Sequence, residues 1–416
     1  MPETITIIGA GMVGICTALS LAERGHKVQI IDKAAPGQGG ATFGNAGIIS
    51  PWSLLPQPVP GIWKNIPNLI FGEHKVLKPR LSMWHKLVPW GLSFLRHANT
   101  KQVYASAEAM QYLCEPSIDM YRQHLKGTGA EDLVQSSWYI HAFRTEEMAK
   151  RWDETAIDYV LRRAFGANIE CINAGELKDL EPALGPVFKA AVLVKDQARA
   201  RAPGRIAEVL FQKACQMGTE LIQTEVRHIK QEEGDWRVIC ADRDITTSKL
   251  VLATGAWSAK LLEPLGIKIP LLAERGYHVE FSNPGAELKH SVMDVDAKLV
   301  ASSMEGGLRL AGASEFCKID APVDPKRQAL MEQQAKTMVP DLNISEGNLW
   351  MGHRPSLPDS LPMLGTFENR SGLYAAFGHS HYGLMMAPKS GQVVADLVEQ
   401  RTPNHDLAAY STKRFA

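Results

Sequence analysis

Near the start of the 416-residue chain, three glycines and one acid stand at spacings that suit a dinucleotide. Gly9, Gly11 and Gly14 fit G-x-G-x-x-G, with Met12 and Val13 between them. The first glycine allows a tight turn, the second lets a pyrophosphate approach the backbone, and the third lets a helix pack closely on a sheet. Asp32 lies eighteen positions past Gly14, where a carboxylate accepts hydrogen bonds from a ribose hydroxyl, and Lys33 follows it. Far downstream, His379 and His381 have the H-x-H spacing that can chelate zinc or copper. No acid or cysteine beside them completes a ligand set, so no metal is expected. Nothing in the chain resembles a G-x-S-x-G elbow, and acyl transfer is not supported.

The elements around the glycines explain their placement. Ile5 to Ile8 is a β-branched run suited to a buried parallel strand. Ile15, Ala18, Leu19 and Ala22 recur at helical spacing, Gly25 is placed to end that helix, and Val28 to Ile31 form the second strand. Gly37, Gly39, Gly40, Gly44 and Gly47 in KAAPGQGGATFGNAG make a second flexible loop able to approach phosphate, with Asn45 offering amide donors. Pro203 to Met217 reads as an amphipathic helix ending at Gly218, followed by a strand from Glu220 to Ile222. Three strand-like runs come next, Glu225 to Lys230, Trp236 to Ala241 and Ile245 to Ala253, joined by polar turns. They form a β-meander where an NAD-type fold places another crossover helix. The last run ends in Ala253-Thr254-Gly255, a small-residue turn suited to close cofactor approach. Trp152, Ala156, Val160, Leu161 and Ala164 read as one amphipathic helix serving only the core.

Composition narrows the field. Lysine plus arginine equals aspartate plus glutamate at 45 each, so no charge imbalance argues for nucleic acid. Six scattered cysteines without C-x-x-C suit a reducing compartment. No signal peptide and no transmembrane run of roughly 20 apolar residues are recognisable, which points to the cytosolic side. The length suits two or three domains.

The first glycine motif, the meander and its ATG end together resemble the FAD-binding domain of the glutathione-reductase type. At the C-terminal end, MGHRPSLPDSLPMLG (351 to 365), a strand from Leu373 to Phe377, GHSHYGLMMAPKSGQ (378 to 392) and a helix through Val398 resemble the D-amino acid oxidase superfamily, most closely its D-amino acid dehydrogenase branch. The resemblance implies an α/β fold in which a discontinuous Rossmann FAD domain (1–50, 190–265, 350–416) is interleaved with an antiparallel-sheet, α+β substrate domain (100–189, 266–349). It implies non-covalent FAD, since no cysteine sits in the usual linkage region. Cofactor contacts are expected from Gly9, Gly11, Met12, Val13, Gly14, Asp32, Lys33, Gly39, Ala41, Thr42, Asn45, Ala46, Gly47, Val226, Thr254, Gly255, Gly352, Arg354, Gly378, His381, Gly383 and Leu384. The resemblance also aims the N-terminus of that final helix at the flavin pyrimidine ring, where it would stabilise the anionic reduced flavin.

The same resemblance assigns Arg354 to the substrate carboxylate, a task suited to a guanidinium fork; the structural alternative pairs it with Asp359. Tyr277 and His278 alternate across a strand begun by ERGYH (274 to 278), so one of them is expected to face the substrate. His381 and Tyr382 are expected to reach it as well. The implied reaction oxidises the α-amine of a D-amino acid to the imino acid, which hydrolyses to a 2-oxo acid and ammonia, with electrons passed to a quinone or carrier. Secondary amines such as sarcosine, proline or hydroxyproline would use the same residues, and a non-catalytic flavoprotein subunit is a reading from a different class.

An arm, residues 51–99, fits neither domain. It combines Trp52, Trp63, Trp84 and Trp90 with Lys64, Lys75, Lys78, Arg80, Lys86 and Arg96, interrupted by Glu73. Such a mixture suits peripheral contact with the cytoplasmic face of the inner membrane, and equally an arm packed over the FAD domain.

Overall fold

The structure is a computed structural model that describes residues 3–71 and 77–415; Glu73 and Lys75 of the arm lie outside the described residues. Thr4–Ile8 sits near the middle of a six-stranded sheet, flanked in parallel by Lys27–Asp32 and Leu250–Leu252. Glu220–Gln223 extends the sheet on one side and Arg370–Phe377 on the other, both in parallel, while Met363–Phe367 closes it as an antiparallel edge. Isoleucines and valines fill both faces of these strands, as burial between two layers demands. The helix Met12–Glu23 covers one face, its expected apolar positions all buried, and Gly25 turns it off at φ +84. Against it runs Gly383–Val398, so close that a Cβ at Gly391 would lie 2.6 Å from the Cys16 backbone.

The meander is present as Val226–Glu232, Asp235–Cys240 and Asp244–Thr247. The run expected to be one strand from Ile245 to Ala253 changes sheet in its middle. Thr247 donates its hydroxyl to Thr4 O and accepts the Lys249 amide, which redirects the chain into the parallel sheet as Leu250–Leu252.

A second, larger sheet of ten strands carries the opposite wall of the molecule. Its path runs Gly347–Ser356, Leu272–Phe281, Gly307–Phe316, Leu299–Met304, Ser291–Asp294, Val134–Phe143, Ala190–Ala200 and Ile48–Ile49. Pairing is antiparallel except where Ser291–Asp294 meets Val134–Phe143 and where Leu77–Pro79 joins Gly307–Phe316. Ala190–Ala200 and Gly347–Ser356 therefore lie in this sheet, although the expected division groups them with the FAD-binding segments. Only long-range register decides which sheet receives a strand.

The expected helix through Trp152 and Ala164 is two helices, Glu146–Thr155 and Ile157–Ala164, broken at Ala156, whose backbone is extended. Val160 is 41% exposed, so the stripe is not one core face. The arm forms Ile62–Phe71 and Trp84–His97. Trp52 and Trp90 turn inward, the latter donating to Ser356 O at 3.3 Å and stacking on Phe94, whereas Trp63 and Trp84 are 61% and 47% exposed. Among the described residues no helix is long and apolar enough to cross a membrane.

Candidate active site

A cavity of about 1720 Å³ opens between the C-terminal ends of the parallel strands and the large sheet. Parallel α/β sheets place ligands at this end, where strands give way to turns and helix N-termini. Gly9, at φ +113, makes the first turn; a Cβ there would lie 2.4 Å from Ala253 O. The nearest atom to a Cβ on Gly11 is Thr42 Oγ1 at 3.7 Å, so this glycine leaves backbone open to the cavity. The helix it begins has no side-chain cap and no acid in its first turn, which suits an anion. Met12 donates its amide to Thr42 Oγ1 at 3.0 Å, fastening the second loop beside the first. Asp32 is held rigid, with Oδ2 accepting from Ala10 N at 2.7 Å and Oδ1 from Ala34 N at 2.9 Å. Lys33 lies beside it with its ammonium 5.5 Å from the centre of the Trp257 ring.

Gly39, Ala41, Thr42, Asn45, Ala46, Val226, Thr254, Gly255, Gly352, Gly378, Gly383 and Leu384 line the same cavity, together with Val13 and Met12. Gly14 and Gly47 do not. Gly14 serves packing, because a Cβ there would strike Gly9 O at 2.0 Å, and Gly47, at φ +80, abuts Ala200 O. Asn45 spends its side-chain oxygen on the Gly47 amide at 2.9 Å, so its role is to shape the loop. From the large sheet, Arg309 donates to Phe43 O and Asn45 O at 3.1 and 2.6 Å and ties the loop down. At the far side of the cradle the uncapped N-terminus of Gly383–Val398 also faces the cavity. Two anion-tolerant helix ends, an anchored carboxylate beside the open backbone at Gly11, and walls without cysteine among the described residues fit FAD held without a covalent bond.

Opposite this cradle is a cluster of charged side chains. Arg354 and Glu274 are direct cross-strand partners between Gly347–Ser356 and Leu272–Phe281. Arg354 Nη1 donates to Glu274 Oε1 and Ala313 O, both at 3.1 Å, while Nη2 has no hydrogen-bond partner among the described residues. The guanidinium lies across Gly276, where a Cβ would be 2.4 Å from Cζ. Glu274 also accepts from Ser314 Oγ at 2.5 Å and Ser356 Oγ at 2.7 Å, and His381 Nε2 is 2.9 Å from its Oε1. Burial pushes the Glu274 carboxyl upward, but His381, Arg354 and Ser314 outweigh that and hold it well below the usual carboxylate range. Glu274 is therefore an anionic strut with its lone pairs committed. Local sequence pattern does not single it out, since only strand register brings it to Arg354.

The other expected residues separate. Tyr277 borders the cavity but donates its hydroxyl to Glu315 and lies under the Arg327 guanidinium, 5.1 Å from the ring centre. His278 does not line the cavity. Its Nδ1 is 3.1 Å from Gly44 O, its ring stacks on Trp350, and burial with the Arg309 charge pushes its pKa down to about 3. Alternation across the strand thus gives the cavity face to Tyr277. Tyr382 faces the cavity with its hydroxyl donated to Leu55 O at 2.7 Å. The two histidines of H-x-H diverge: His379 Nε2 lies 3.0 Å from Ser390 Oγ, and His381 turns to Glu274. Asp359 pairs with Arg414 at 2.6 Å and leaves Arg354 alone.

Residues 4–397 match the family model described as FAD dependent oxidoreductase (DAO). A D-amino-acid oxidase of Bradyrhizobium diazoefficiens is 32% identical over 424 residues, covering 100% of both chains. Glycine oxidase from Geobacillus kaustophilus superposes with a TM-score of 0.74 at 25% identity, covering 99% of each chain. L-proline dehydrogenase from P. horikoshii gives a TM-score of 0.76 at 21% identity over 100% and 98% of the two chains, a likeness of fold.

Proposed function

This chain belongs to the DAO family of FAD-dependent oxidoreductases, and on that footing we propose that it is a dehydrogenase that oxidises the α-amine of D-amino acids. FAD is its non-covalent cofactor, and amino acids or related amines are its class of electron donor. Bound FAD supplies the two-electron acceptor for the α-carbon–hydrogen bond. The observation that carries the reading is Arg354: a guanidinium in the cavity wall with one nitrogen fastened to Glu274 and the other unengaged.

A carboxylate suits that open edge, because Arg354 offers parallel N–H donors in a fixed plane. Glu274 keeps the guanidinium from rotating, and Gly276 leaves the room it needs. Restricting the substrate in this way accelerates the reaction by orientation, which matters most where no strong base is required. The Glu274 oxygens are engaged by Arg354, Ser314, Ser356 and His381, so Glu274 is not placed to take the amine proton; the substrate enters as the neutral amine, its proton having passed to solvent. We assign the electrons to a quinone or carrier, with the arm helices Ile62–Phe71 and Trp84–His97 as a peripheral membrane contact, supported by the exposure of Trp63 on the first and Trp84 on the second.

Anaerobic reduction of the bound flavin by paired enantiomers tests this directly. Bleaching by primary D-amino acids, faster than by their L-forms, is the expected result. Bleaching confined to N-alkyl or cyclic amino acids would move the substrate class to secondary amines, and bleaching by none would overturn the amino acid assignment.

A further inference from the structure

The cavity is larger than the roughly 300–1,000 Å³ of an ordinary single-ligand pocket, and its far end holds polar groups that neither the cofactor cradle nor Arg354 employs. Tyr139 and His141 point the same way from Val134–Phe143, as residues two apart on a strand must. His141 is buried, with Nδ1 2.6 Å from Tyr159 Oη, while its Nε2 has no partner among the described residues. From the helix Ile157–Ala164, Asp158 gives Oδ2 to Arg162 at 2.7 Å and leaves Oδ1 buried and unpartnered. Lys298 stands in the turn between Ser291–Asp294 and Leu299–Met304 at φ 55, a left-handed conformation unusual for a side chain of this kind. Its ammonium lies 5.1 Å from the centre of the Trp152 ring and makes no ion pair with any described residue. His141, Asp158, Arg162 and Lys298 all line the same cavity. Tyr382 lines the same cavity as both Arg354 and Asp158.

Taking the amino acid reading above as given, we propose that this chamber receives the substrate side chain and selects one that both donates and accepts hydrogen bonds, a hydroxyl or carboxamide, over an aliphatic one. Asp158 Oδ1 requires a donor and Lys298 an acceptor, and His141 Nε2 serves either. A hydroxyl or amide answers all of them, whereas a methyl group would displace water and leave each polar atom buried without a partner. Sites built to hydrogen-bond a substrate group discriminate against the analogue that lacks it more sharply than apolar pockets discriminate by size.

The test is anaerobic flavin reduction by near-isosteric pairs, asparagine against leucine and threonine against valine, each in both enantiomers. The wild type should favour the polar member of each pair by at least about tenfold in reduction efficiency. In His141→Leu and Lys298→Met that ratio should fall toward one, with flavin content per chain, read by absorbance, showing that the variants remain folded. Faster reduction by leucine and valine in the wild type overturns the proposal, as does a polar preference that survives both substitutions. Reduction by no amino acid at all would instead remove the reading on which the proposal stands.

Discussion

At the scale of single residues, the site rests on the pair Arg354 and Glu274. Arg354→Ala should retain FAD yet lose about 2–5 kcal/mol of transition-state binding, the usual cost of removing one member of a desolvated charge pair, or roughly 30- to several-thousand-fold in reduction efficiency. Arg354→Lys should recover only part of this, because a point charge cannot offer a planar fork. Glu274→Gln should cost less, about 1.5–3 kcal/mol for hydrogen bonds to charged groups, since Arg354 remains but loses its anchor. Stopped-flow reduction by an amino acid and by the corresponding amine without a carboxylate separates binding from folding: both variants should lose preference between the two. Intact preference in Arg354→Ala would place the carboxylate elsewhere. Arg354 was legible in the sequence because it stands in GHRPSLPD; Glu274 was not, because its partner is 80 positions away and only register joins them. For the same reason His278, adjacent to Tyr277, could not be assigned to a face until Gly44 and Trp350 were seen to hold it.

Among the elements, the arm divides its tryptophans. On Trp84–His97, the exposed Trp84, Val88, Leu92 and Leu95 recur at helical spacing on one face, while Trp90 turns toward the large sheet. Arg96 borders that exposed face, whereas Lys86 lies on the opposite side of the helix. Each basic residue beside an anionic surface contributes on the order of 1 kcal/mol, so Arg96→Gln should reduce liposome binding about fivefold at low salt. Turnover with a soluble dye should change far less. Wild-type protein that fails to float with anionic liposomes would identify the face as ordinary surface. The residue types of this contact were readable in the chain, whereas the division of inward from outward tryptophans depended on packing. Similarly, the pattern through Trp152 hid a break at Ala156, and the Trp152 ring, packed on Phe143 as core, also supports Lys298 at the cavity.

For the molecule as a whole, buried imidazoles set a pH limit. Burial pushes His124 down to about 4 and His278 and His379 to about 3, and holds His141 well below the usual histidine range. In the unfolded chain these groups protonate near the ordinary value of about 6.5. Between those limits the unfolded state binds more protons, so stability is complete above about pH 6.5 and declines as pH falls, by up to about 1.4 kcal/mol per group per pH unit. Thermal unfolding of the FAD-loaded protein should therefore shift to lower temperature from pH 7 to pH 5. An unchanged Tm over that interval would show that the imidazoles are charged in the folded state. The parallel sheet and its glycine turns were legible from local patterns, and the α/β class followed from them. The ten-stranded sheet was not, since its order depends on contacts spread along the chain.

That order has a temporal consequence. Thr4–Ile8 is made long before Leu250–Leu252, the strand beside it, and Arg370–Phe377 follows later still. Until then the nascent chain carries a β-branched strand with an unpaired edge, a surface open to wrong partners. The turns that receive FAD are shaped by that late pairing: Gly9 rests on Ala253, and Gly378 follows the last parallel strand. Cofactor capture thus waits for the strands made last, and the pool of protein competent to take up FAD is set by how many chains complete this sheet before they aggregate.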